Sequence, residues 1–132
     1  MVERNLSPRP LSPHLQIYKP MLTMMMSIMH RITGVGLYFG IALLAGWLLA
    51  AAFSESCFEF AQGVFGHWFG RLLLFGFTWA LIHHALGGLR HLLWDTGRGF
   101  DLNTVEWLAR ANLAGSVILT LLLWVIGYGV MA

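Results

Sequence analysis

Three long stretches of this chain carry no Asp, Glu, Lys or Arg: Ile32–Phe53, Leu72–Leu89 and Ala111–Ala132. The second continues apolar to Trp94 through Arg90 and His91. A helix crosses a bilayer with roughly 20 apolar residues at 1.5 Å each. Inside lipid every backbone N–H and C=O has to be satisfied within the segment, which for runs of this length means helices. Only 11% of the residues are charged, against about 25% in a soluble domain. The fold class that follows is an all-α integral membrane protein with three transmembrane helices, over about 32–53, 72–94 and 111–131. Residues 32–132 form the membrane domain and residues 1–31 an arm ahead of it.

The arm is not a cleaved signal in this reading, because it has no apolar run before Met21. Prolines at 8, 10, 13 and 20 exclude a regular helix through most of it. It is expected to lie extended on the cytoplasmic face, with LTMMMSIM (22–29) able to begin the first helix below the membrane surface. Lys and Arg set the orientation. Arg4, Arg9, Lys19 and Arg31 precede the first span, Arg71 stands alone with Glu55 and Glu59 in the first loop, and Arg90, Arg98 and Arg110 follow the second span. The N-terminus is therefore expected in the cytoplasm and the C-terminus outside. A bacterial inner membrane is preferred to a mitochondrial one. Basic and aromatic residues do not interleave as a nucleic-acid surface requires, and the single Cys57 allows neither an intrachain disulfide nor a cysteine metal site. The first loop holds FEFAQGVF (58–65), which reads as a short interfacial helix, and Gly36 with Gly40 forms a GxxxG pair suited to close helix approach.

Against this apolar background the ionisable residues stand out. SIMHRITG (27–34) crowds Ser27, His30 and Arg31 into the mouth of the first span. His83 and His84 lie inside the second. Taking Leu93 as the boundary, His84 is about 13 Å deep. An imidazole at that depth is a hydrogen-bonded packing residue, a proton relay or a metal ligand. The spacing HxxxGxRH favours the ligand: His84, Gly88 and His91 fall near one helical stripe, with Gly87 alongside. That order, an imidazole, a flat gap and then cations toward water, suits a porphyrin, whose iron takes a histidine nitrogen. Arg90 and His91 from one helix, and His30 and Arg31 from the other, are the candidate propionate contacts. His83 points about 100° away and is expected to pack or to hydrogen-bond a neighbouring helix. His30 is placed roughly 10 Å shallower than His84, so the second axial ligand is expected from another chain. The protein would then be half of a heterodimeric haem-binding helical bundle.

RPLSPHLQIY (9–18), SIMHRITG (27–34) and HALGGLRHLLWD (84–95) together resemble the cytochrome b556 anchor family of succinate dehydrogenase, respiratory complex II, in order and from about residue 9 onward. The resemblance implies a haem b shared with a second three-helix anchor subunit, with His84 as axial ligand and His30 and Arg31 near the propionates. It implies that Ser27 and Arg31 line a ubiquinone site, with residues 1–31 at its mouth. It also implies an iron–sulfur subunit and a flavoprotein subunit as partners beside the lipid bilayer. A quinone oxygen gains negative charge on reduction, so a hydroxyl and a guanidinium one helical turn apart suit it. The chain has no flavin motif, CxxC set or dicarboxylate site of its own, so it is not catalytic for succinate oxidation. Two other readings are a haem-free structural anchor and an anchor of a fumarate reductase-type quinol oxidoreductase. A transporter subunit is disfavoured, because all six carboxylates lie outside the apolar runs.

Overall fold

The computed structural model describes residues 17–131, and the proline-rich arm with Arg4, Arg9 and His14 lies outside the described residues. Among the described residues four long helices follow in order: α1 (Leu22–Phe53), α2 (Glu55–Gly66), α3 (Trp68–Asp95) and α4 (Leu102–Met131). The chain is all-α, and α1, α3 and α4 are each long and apolar enough to cross a membrane.

Each boundary has a local cause. Pro20 and an extended Met21 precede α1, which begins ten residues ahead of the uncharged run because the methionine stretch is unbranched and helix-compatible. The Ser54 hydroxyl accepts the Cys57 N–H at 3.2 Å and starts α2, the interfacial helix expected in the first loop. His67 Nδ1 accepts the Phe69 N–H at the start of α3. Between α3 and α4 the connection is much shorter than the polar composition of residues 95–110 suggests. The Thr96 hydroxyl donates to the Leu93 carbonyl at 2.6 Å, and the chain turns through Gly97 and Gly99 at φ 74° and 78°. Only glycine takes that conformation without strain. The indole of Trp94 donates to the Gly99 carbonyl across the turn. Asp101 then accepts the Thr104 N–H at 2.9 Å, so Glu106 and Arg110 belong to α4, where they pair one turn apart.

The bundle is apolar outside and polar within. Among the described residues the buried hydrophobic ones are Met26, Leu37 and Ala109, whereas the polar Thr33, His83, Arg90, Asn112, Ser116 and Thr120 are all buried. Leucines, isoleucines and phenylalanines cover the outer surface. Lipid offers no hydrophobic incentive for helices to associate, so small and polar residues make the contacts between them. Of the GxxxG pair only Gly40 is filled: a side chain there would overlap Phe77 of α3, while Gly36 faces open space.

Candidate functional site

α1 and α3 bring two imidazoles face to face. The rings of His30 and His84 are stacked, with centroids 3.9 Å apart and planes 4° from parallel. His30 is therefore level with His84 and not some 10 Å shallower. The discrepancy comes from where α1 starts: with the helix running from Leu22, His30 is over two turns inside it rather than at its mouth. His84 Nδ1 lies 3.1 Å from the His30 carbonyl oxygen and 3.3 Å from the Thr33 hydroxyl. A carbonyl can only accept, so Nδ1 carries the proton and donates it. The Thr33 hydroxyl is held in turn by the Met29 and His30 carbonyls, at 2.9 and 3.0 Å. With Nδ1 committed, Nε2 keeps its lone pair, and it has no hydrogen-bond partner among the described residues. This is how metal-ligating histidines are oriented: one ring nitrogen fixed by the protein, the other free for the metal.

Two glycines allow the arrangement. A Cβ at Gly34 would come within 3.0 Å of the His84 ring, and one at Gly87 within 2.5 Å of His30 Nδ1. The gap beside His84 is thus divided. His30 fills its Gly87 side, and Gly88, with nothing near it, stays open. His91 continues the cluster, its ring 5.3 Å from that of His30, and its side chain is exposed. Arg31 and Ser27 are exposed on α1. Arg90 differs from them. It is buried to 6% exposure with its guanidinium 5.1 Å over the Trp94 ring, inside the three-helix interior.

Whereas His84 faces α1, His83 faces α4. It is completely buried, its Nδ1 lies 3.2 Å from the Ser116 hydroxyl of α4, and its ring leans on Trp79. The expected bond to a neighbouring helix is there. Sequence reasoning missed Thr33 and the α4 stripe of Asn112, Ser116 and Thr120. The stripe had a visible signal, polar residues every fourth position in an apolar run. Thr33 had none, since its role depends on how α1 and α3 align. No cluster of three or more His, Cys, Asp or Glu side chains suited to a bare metal ion occurs among the described residues.

A polytopic helical membrane protein with one oriented histidine between its first two spans is the class these features define. The sequence matches the family described as succinate dehydrogenase/fumarate reductase transmembrane subunit over residues 5–123. It is 45% identical to the succinate dehydrogenase cytochrome b556 subunit of Paracoccus denitrificans, across 92% of this chain and 94% of that protein. It is 38% identical to the cytochrome b556 subunit of Rickettsia typhi, across 89% and 91% respectively. It is also 41% identical to the mitochondrial succinate dehydrogenase cytochrome b560 subunit of Sus scrofa, across 73% of this chain and 58% of that protein. The chain belongs to the succinate dehydrogenase/fumarate reductase transmembrane subunit family.

Proposed function

We propose that this chain is a membrane anchor subunit of a succinate:ubiquinone oxidoreductase. In it, His84 is one axial ligand of a haem b shared with a second three-helix anchor, and Ser27 with Arg31 binds the quinone. The observation that carries the haem assignment is the bond from His84 Nδ1 to the His30 carbonyl, which leaves Nε2 as the donor atom toward iron. The residues fit the group. Gly88 leaves open space one turn from His84, and His91 with Arg31 offers exposed cationic groups for propionates. His30 contributes its ring edge to the same cluster. Arg90, enclosed over Trp94, acts on propionates through its charge from within the bundle. His30 would not hold the same iron together with His84, because its ring is stacked directly on that of His84. That favours a ligand from a second chain. Bound there, haem b supplies a one-electron carrier within the membrane.

Ser27 donates a hydrogen bond to a quinone oxygen, and Arg31 holds a fixed positive charge one turn away. Both favour the charge that a quinone oxygen gains on reduction. Their place in the first turns of α1 supports a reaction at the membrane edge, which with a cytoplasmic N-terminus is the side where water delivers protons and an iron–sulfur subunit with its flavoprotein subunit docks. The names of the bacterial relatives support a bacterial inner membrane as the location.

The test compares His84→Leu with His83→Leu in the complex purified from native membranes. His84→Leu is expected to remove or severely shift the haem absorption bands, and His83→Leu to keep them. An unchanged spectrum in His84→Leu would exclude the ligand. A wild-type complex with no Soret band would indicate a haem-free anchor.

A further inference from the structure

Five buried side-chain polar atoms have no hydrogen-bond partner among the described residues: His30 Nδ1, His83 Nε2, Arg90 Nε, and both Nδ2 and Oδ1 of Asn112. They are not scattered. On α3, His83, Gly87 and Arg90 lie along one stripe at helical spacing. His30 of α1 packs its Nδ1 directly on Gly87. α4 runs antiparallel to α3, with Ser116 opposite His83. Asn112, one turn before Ser116, is thereby level with Gly87. All five atoms belong to four residues within about one turn of that level on either side, contributed by three helices.

We propose that the bundle encloses a water site at the level of Gly87, held by His30, His83, Arg90 and Asn112. Burial without a partner is costly for polar atoms, and clusters of such atoms in native proteins mark internal water or ions. Each of these atoms is sealed inside this chain, so neither a lipid headgroup nor a partner subunit can reach it. The described acidic side chains lie outside the site: Glu106 pairs with Arg110 and Asp101 caps α4. What remains is a small enclosed molecule able both to donate and to accept. Water meets that demand: it donates to His83 Nε2 or Asn112 Oδ1, and accepts from Arg90 Nε–H or Asn112 Nδ2–H. Such a water ties α1, α3 and α4 together at the depth where the His30 carbonyl orients His84. Asn112 is then a positioning residue for the cluster, although it touches neither quinone nor the His84 ring.

Two measurements on the complex in lipid nanodiscs test this. A density map fine enough to order solvent should show an enclosed oxygen at about 2.7–3.2 Å from at least two of the four side chains. Side chains closed directly on one another, or an empty space, would overturn the proposal. So would density too strong for oxygen, which would mean a bound anion such as chloride. The second measurement is the unfolding midpoint of Asn112→Leu. If Asn112 is truly orphaned, removing two unpaired polar atoms raises or preserves the midpoint. If it holds water, the same change strands that water and the Arg90 and His83 atoms, and the midpoint falls.

Discussion

At the scale of single residues, the site depends on one carbonyl. His84 owes its tautomer to the His30 C=O at 3.1 Å, and that contact exists because Gly87 and Gly34 give the two rings space. The histidine pattern of α3 was legible in the sequence, because His84, Gly88 and His91 share a stripe whatever lies opposite. The stack of His30 on His84 was not legible, because periodicity orders residues within a helix and says nothing about the sliding of one helix past another. The same limit hid Thr33. Ser27 and Arg31 differ from these interior groups in being exposed, and their proposed task is to meet a ligand. Ser27→Ala removes one hydrogen bond and is expected to lower succinate–quinone reductase activity roughly fivefold to tenfold. Arg31→Leu removes a charge-assisted contact and is expected to lower it by on the order of 100-fold. Succinate oxidation by an artificial electron acceptor, measured on the same preparations, should be unchanged. Equal loss of both activities would show misassembly in place of a quinone contact.

At the scale of elements, the number of spans follows from the apolar runs, and their ends follow from caps. α1 starts early because nothing in LTMMMSIM opposes a helix once Pro20 has passed. The connection between α3 and α4 is short because Gly97 and Gly99 turn the chain and Asp101 begins the next helix at once. The charges of residues 95–110 resemble a polar loop, which is why the turn was harder to read than the spans. The cap has a pH signature. Hydrogen bonds from the Thr104 hydroxyl and the Thr104 N–H hold the Asp101 carboxyl below its ordinary value. A carboxylate shifted downward contributes stability above its unfolded value of about 3.9, and that contribution is lost as pH falls through the lower folded value. Amide exchange at Thr104 is the measurement. Relative to the intrinsic rate, protection should be constant near neutrality and decline in acid below about pH 4. In Asp101→Ala it should be weak at every pH. Protection in that variant equal to wild type would remove the cap from the account of α4.

At the scale of the whole molecule, the surface and interior have exchanged their usual roles. Hydrophobic side chains such as Leu48, Leu72, Ile118 and Val125 face outward, as lipid requires. The interior holds Arg90, five residues from the C-terminal end of α3, a charge that is costly wherever it meets lipid. Burial inside the bundle, with its guanidinium over the Trp94 ring, keeps it from the acyl chains. Such a bundle has a direction across the membrane, and from the charge bias of its flanks the N-terminus is expected in the cytoplasm. The lone Cys57 makes that orientation testable without disturbing the site. It is exposed on α2, which follows the far end of α1 and so belongs to the side opposite the N-terminus. In spheroplasts, a membrane-impermeant maleimide is expected to label Cys57 without permeabilisation. In a Cys57→Ser background, Arg98→Cys in the turn between α3 and α4 should be labelled only after the membrane is opened. The inverse pattern would turn the bundle over and move Ser27 and Arg31 to the outer face. There an iron–sulfur subunit in the cytoplasm could not reach the quinone they are proposed to bind.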